Sequence, residues 1–217
     1  MNMKKPRFLW DPFSTHQPVL YEAVLRTEGA ILEFGSGDGS TRLLHHLCAE
    51  KKRSLFTFDN DWKWLSRYKE YETDWHKLIY VDDWDKLLAD AGRRSWMYCD
   101  IAFVDQGPFE ARATTVQLVK DTAKFVIVHD IDYFPGTGLF GKNIDPINGI
   151  EHPGRRSYED VFKSWREYFP LVPWPHPPTG PPILVGSNYE LVDWEIDFEK
   201  YRHNELLVEL GEERSDC

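Results

Sequence analysis

The run Ile31-Leu32-Glu33-Phe34-Gly35-Ser36-Gly37-Asp38-Gly39-Ser40 constrains the fold of this chain more than any other stretch. Its first four residues are apolar except for Glu33 and read as a buried strand. Gly35, Gly37 and Gly39 then make a tight turn, because glycine accepts positive φ and lets the backbone approach a ligand closely. Ser40-Thr41 opens a helix whose first N–H groups lack intrahelical partners and point back at the turn. Strand, glycine turn and helix in that order begin an α/β unit that offers a ligand site at the carboxyl end of its strand.

The same alternation continues along the chain. The patterning predicts strands over 30–34, 54–58, 77–81, 98–104, 125–128 and 183–187. Helices are expected over 14–25, 40–50, 62–71, 84–91, 111–122 and 197–210. Ser157, with Asp160 three residues on, resembles a capping box and predicts a further helix to about Tyr168. The tail is thus expected to read helix, strand, proline-rich hairpin, strand. Strands that alternate with helices point to a mostly parallel sheet. The segment 131–156 is irregular and glycine-rich, and a loop of that length inside a compact domain suits a substrate lid. The proline-rich segment 174–182 reads as an extended connection.

At 217 residues and 41% hydrophobic content the chain suits one α/β domain with a real core. We expect a single domain over 1–217, with an N-terminal helical cover (1–29), a substrate loop (131–156) and a frayed tail (211–217). The net charge of −10 disfavours non-specific binding to nucleic acid or anionic membrane. A small molecule, a neutral glycan or a protein is an easier partner. Cys48, Cys99 and Cys217 form neither a zinc spacing nor a disulfide framework, and no apolar signal core follows the basic first residues. With no expected membrane span, a reducing, cytoplasmic location is the expectation. Nothing bears on oligomeric state.

In open α/β sheets ligands gather at the carboxyl ends of the strands. Polar residues of this chain stand there in series: the glycine turn, Asp59-Asn60, Asp83-Trp84, Asp105 and His129-Asp130. Asp59 suits a ribose diol, against the plainer role of a turn or cap residue. Glu33 suits a ligand's ammonium group or a brace for the turn. Asp83 with Trp84 suits an adenine amino group and face, or a helix cap and a core tryptophan. His129, beside Asp105 and Asp130, suits a general base, against the alternative of a core histidine. Asp105, Asp130 and Asp132 are an alternative set of hard oxygen ligands for Mg²⁺.

Glu33-x-Gly35-x-Gly37, followed by Ser40 and by the strand-end acids, resembles the first motif of class I S-adenosylmethionine-dependent methyltransferases. A G-x-G-x-x-G dinucleotide fingerprint would need glycine where Ser40 stands, which counts against a nicotinamide dehydrogenase. Asp105-Gln106-Gly107-Pro108 with Arg112 looks like the Asp-Gly-Pro…Arg signature of O-methyltransferases acting on sugars and natural products, with Gln106 inserted. The resemblance implies a Rossmann-like, seven-stranded, mostly parallel sheet with helices on both faces and an antiparallel last strand. It implies S-adenosylmethionine held by Glu33, Gly35, Ser36, Gly37, Ser40, Asp59, Asn60, Asp83, Trp84 and Asp105. Catalysis would fall to His129, Asp105 and Asp130, and substrate contacts to Arg112, Tyr133, His152 and Arg155. The implied reaction is O-methylation of a hydroxyl on a sugar, glycan or small metabolite. The alternatives are an N-methyltransferase or an inactive binding module on the same fold.

Overall fold

The computed structural model describes residues 14–91, 98–131, 161–170 and 181–202. Seven strands form one sheet: β1 (Ile31–Phe34), β2 (Leu55–Asp59), β3 (His76–Tyr80), β4 (Cys99–Val104), β5 (Ala123–His129), β6 (Ser164–Tyr168) and β7 (Ile183–Ser187). Their spatial order is β3-β2-β1-β4-β5-β7-β6. β1 pairs in parallel with β2 and β4, as do β2 with β3 and β4 with β5. β7 runs antiparallel to both β5 and β6. The expected seven-stranded, mostly parallel sheet with an antiparallel final strand is therefore present.

The described helices are α1 (Gln17–Leu25), α2 (Thr41–Lys51), α3 (Trp62–Leu65), α4 (Trp84–Ala91), α5 (Phe109–Val119) and α6 (Phe198–Arg202), with a 3₁₀ helix at Ser66–Tyr71. Side chains alternate across a strand, so each central strand feeds two cores. Ile31, Ile101, Phe103, Phe125 and Ile127 pack with α1 and α2 on one face. Leu32, Phe34, Ala102, Val104, Val126 and Val128 pack with α4 and α5 on the other. Sandwiched between helices, the strands of the middle read as nearly continuous apolar runs.

Two expectations are not met as stated. The helix expected to reach Tyr168 is replaced over Ser164–Tyr168 by the edge strand β6. Ser-Trp-Arg-Glu-Tyr has no apolar alternation; Trp165 and Arg166 are exposed, Ser164 and Glu167 half-buried, and only Tyr168 is buried. Pairing of Ser164–Tyr168 with Ser187–Ile183 of β7 decides its conformation, a tertiary effect that outweighs local propensity. The 62–71 helix is also divided, with only Trp62–Leu65 in α geometry.

Candidate active site

The glycine turn leaves β1 at the middle of the sheet, with Gly35 at φ 93°. A Cβ on Gly35 would stand 2.6 Å from the Asp105 carbonyl, so the turn after β1 packs directly against the end of β4. Gly39 is tight for another reason: a Cβ there would meet Ser14 Oγ at 2.7 Å and His16 Nε2 at 3.1 Å. The residues before α1 thus lie over the turn, and Gln17 Nε2 donates to the Gly39 carbonyl at 2.7 Å.

Asp59, at the end of β2, turns its carboxylate to the same loop. Its Oδ2 accepts from the Ser36 amide at 2.8 Å and from the Ser36 hydroxyl at 2.6 Å, while Oδ1 accepts from the Asp61 amide at 2.8 Å. Gly37 and Asp59 therefore lie on one side of the molecule, joined through Ser36. Asn60 beside them is exposed. Asp38 is occupied by Arg42, Arg67 and the Tyr68 hydroxyl, and fixes the outer wall of the turn.

Glu33 is fully buried on the α2 side of β1. Thr41 donates to its Oε1 at 3.0 Å and Thr57 to its Oε2 at 2.6 Å. Burial pushes its carboxyl up to about 7, against the opposing pull of the Ser40, Thr57 and Thr41 hydroxyls. Thr41 Oγ1 also accepts from the Gly37 amide at 2.9 Å. These are the contacts of a brace under the turn. The polar chain continues inward: Thr57 Oγ1 lies 3.0 Å from His76 Nε2, and His76 Nδ1 lies 2.9 Å from His45 Nδ1. Burial lowers both imidazoles, His76 to about 3 and His45 to about 4.

Asp83 and Trp84 make the contacts of the plainer alternative. Asp83 Oδ1 accepts from the Asp85 and Lys86 amides and caps α4. Trp84 is buried, and its Nε1 donates to the Gly107 carbonyl at 2.9 Å. Exposed aromatics at this end of the sheet, among the described residues, include Trp62 and Tyr80, with ring centres 6.1 Å apart, and Trp64, whose Nε1 donates to the Ser36 carbonyl at 2.7 Å. Neither Trp62 nor Tyr80 is among the site residues expected from the sequence. Their positions just after β2 and at the end of β3 were the available signal.

The ends of β4 and β5 carry the second cluster. Arg112 of α5 reaches up between them and is almost wholly buried. It donates to the carbonyls of Gln106 and His129 at 2.8 and 2.9 Å, and pairs with Asp105 Oδ1 at 2.9 Å and Asp130 Oδ2 at 3.3 Å. Its fork is spent inside the protein, so Arg112 ties two strand ends together. The inserted Gln106 is accounted for as well: its side chain is buried and bonded to Thr115 of α5.

His129 Nε2 lies 2.9 Å from Thr15 Oγ1, whose own hydroxyl donates to the Pro181 carbonyl at 2.8 Å. Nε2 is therefore the donor, and neutral His129 carries its lone pair on Nδ1. That atom faces Asp105 Oδ2 at 3.3 Å and Asp130 Oδ1 at 3.5 Å. Burial would lower His129, but the carboxylates of Asp130 and Asp105 outweigh it and hold the imidazole above its ordinary value. Burial would raise Asp105, but His129 and Arg112 hold it below the usual carboxylate range. With 22% of its side chain exposed, Asp105 is the more open member of the pair; His129 shows 3%.

His16 completes the cluster and was missed by the sequence analysis. Its ring packs edge-on to His129 at 4.5 Å and against Phe103 at 4.9 Å. Burial and the neighbouring His129 lower it to about 3. The signal lay in Ser14-Thr15-His16-Gln17, a polar run that opens a helix yet is buried throughout.

Tyr133, His152, Arg155 and Asp132 lie outside the described residues. The remaining members of the proposed Mg²⁺ set, Asp105 and Asp130, both face the Arg112 guanidinium. Arg112 already stands between Asp105 Oδ1 and Asp130 Oδ2, so these two oxygens do not fit an additional hard cation such as Mg²⁺. Among the described residues no helix is long and apolar enough to cross a membrane.

Sheet order, the antiparallel β7 and the glycine turn at the centre define a Rossmann-like fold of the methyltransferase type. No protein-family model and no curated protein matches the sequence. Solved structures do. Cofactor-bound Rv0187 from MTB is similar over 86% of this chain and 85% of its own, at 14% identity and a TM-score of 0.54. Spermidine synthase from Thermotoga maritima is similar over 100% of this chain and 70% of its own, at 16% identity and a TM-score of 0.51. A TDP-rhamnose 3'-O-methyltransferase of calicheamicin biosynthesis, CalS11, reaches 18% identity over 66% of this chain and 76% of its own, with a TM-score of 0.43. At these identities the likeness is one of fold.

Proposed function

We propose that this protein is an S-adenosylmethionine-dependent methyltransferase that acts on a hydroxyl of a sugar, glycan or small metabolite. The observation that carries the reading is the junction of Gly35, Ser36 and Asp59, one strand away from a buried acid–histidine cluster. S-adenosylmethionine, when bound, supplies an electrophilic methyl group. The open turn and the N–H groups ahead of α2 receive its amino-acid end, and Asp59 receives its ribose. Oδ2 already holds two donors, and the Ser36 hydroxyl occupies an acceptor site that a ribose hydroxyl needs. Oδ1, which among the described residues accepts only from the Asp61 amide, has a site free for one ribose hydroxyl, and a second on Oδ2 requires the Ser36 hydroxyl to turn aside. Trp62 and Tyr80 are better suited than the buried Trp84 to cover the adenine.

An alcohol is a poor nucleophile until its proton has somewhere to go. The pair Asp105–His129 supplies that: Asp105 is the open member that orients the hydroxyl, and His129 is the more basic. Asp130 and Asp105 flank the imidazole and stabilise the positive charge it gains. The test is turnover with labelled S-adenosylmethionine against a panel of hydroxyl and amine acceptors. His129→Asn is expected to lower turnover about 10²- to 10⁴-fold without changing cofactor affinity. Transfer to amines alone would replace the O-methyl reading, and an unchanged rate in the variant would remove His129 from the chemistry.

A further inference from the structure

We propose that His16, Asp105 and His129 form a binding site for one divalent first-row transition-metal ion with an open coordination position. One ligand atom from each lies within 4.8 Å of the other two. Three features distinguish this cluster from a set of ordinary core contacts.

The first is the state of the nitrogens. Both ring nitrogens of His16 and Nδ1 of His129 are buried and make no well-formed hydrogen bond. Leaving a buried polar atom unpaired is costly, and native proteins keep few such atoms. Here one nitrogen of each ring lies within 4.8 Å of the other and of an Asp105 oxygen. The Gly39 carbonyl interacts with the His16 ring, which occupies a donor and leaves a lone pair over.

The second is distance. His129 Nδ1 stands 3.3 Å from Asp105 Oδ2 and 3.5 Å from Asp130 Oδ1. A charge-assisted N–H···O bond closes to about 2.7–2.9 Å. Two ligands on a tetrahedral ion with bonds near 2.1 Å stand about 3.4 Å apart. The His129–Asp105 spacing matches the second geometry, and the His16 nitrogen lies within 4.8 Å of both.

The third is the support behind the ligands. A metal-bound histidine usually donates its other N–H to a fixed acceptor, which sets the tautomer. His129 does so through Thr15 to the Pro181 carbonyl. Asp105 is anchored likewise, with Oδ1 on Arg112 and Oδ2 turned to the cluster. Asp105 and Asp130 against Arg112 leave one negative charge to balance a divalent ion. Two imidazoles and one carboxylate favour Zn²⁺, Fe²⁺, Co²⁺ or Ni²⁺ over Mg²⁺ or Ca²⁺. Three protein ligands leave one position open. An ion and a proton at His129 Nδ1 exclude each other, so an ion bound here would block the proton-accepting role proposed for His129 above, and the binding experiment is read without turnover.

The experiment uses the full untagged chain, stripped with chelator and titrated with Co²⁺ while its visible absorption is followed. Zn²⁺ competition with a chromophoric chelator gives affinity, and Mg²⁺ is the control. One equivalent of Co²⁺ should give the intense bands of a four- or five-coordinate ion, displaced by Zn²⁺ and not by Mg²⁺. His16→Gln and Asp105→Asn, each checked for native circular dichroism, should weaken Zn²⁺ at least about 100-fold. Absence of stoichiometric Co²⁺ or Zn²⁺ binding by the folded chain overturns the proposal. Binding that survives in both variants overturns it too, since the ion is then held elsewhere.

Discussion

Glu33 is a fully buried carboxyl, and Glu33→Gln tests what that costs. In the folded chain its pKa rises from 4.5 to about 7 because burial disfavours the anion. Each pH unit of such a difference is worth about 1.4 kcal/mol, so full ionisation costs the native state about 3 kcal/mol. The folded state holds the proton more tightly than the unfolded chain between these two values. The stability associated with Glu33 is therefore complete below pH 4.5, falls as pH rises through about 7, and is level above that. Glutamine keeps the shape and can still accept from one of Thr41 and Thr57 while donating to the other. It cannot ionise. Urea unfolding of both proteins from pH 4.5 to 8.5 gives the difference in stability, in which any fixed cost of the substitution cancels from the slope. Relative to the variant, the wild type should lose about 3 kcal/mol across that range, or about 6–12 °C in melting temperature for a chain of this size. Parallel profiles would refute the reasoning, because they would mean that Glu33 ionises as freely folded as unfolded.

Three further outcomes follow from the same geometry. Gly35→Ala puts a Cβ 2.6 Å from the Asp105 backbone at a φ that L-residues rarely adopt; it should cost about 1–3 kcal/mol in urea and abolish cofactor binding. Arg112→Ala strands Asp105 and Asp130 without their cation and should destabilise the fold by about 3 kcal/mol or more, read by thermal unfolding. His76 and His45 are held neutral by burial, with values near 3 and 4. The stability they contribute should be complete above pH 6.5 and fall away as pH drops toward 4, a loss that His76→Asn should reduce in acid unfolding curves.

The glycine turn and the apolar strands made the α/β order legible in the sequence, because strands buried on both faces write long apolar runs. β7 was read with the bounds it has. β6 was not, since its identity rests on hydrogen bonds offered by β7 rather than on Trp165, Arg166 or Glu167. The strand-end positions of Asp59, Asp105 and His129 were legible because parallel topology forces them to one edge. What each side chain bonds to was not. Glu33, Trp84 and Arg112 are read by motif as ligand contacts, yet each spends its polar atoms inside the protein. His16 escaped because it belongs to no strand end and meets His129 only through the packing of α1 over the turn.

Calorimetric titration of S-adenosylmethionine into the pure chain, with NAD as the control, tests most directly whether the turn after β1 and the carboxylate of Asp59 hold an adenosyl sulfonium. The wild type should bind it in the micromolar range, or about −8 kcal/mol, and ignore NAD. Asp59→Ala, with its fold confirmed, should lose at least about tenfold in affinity through the missing ribose acceptor. No heat with the wild type, or undiminished binding by the variant, would contradict the site.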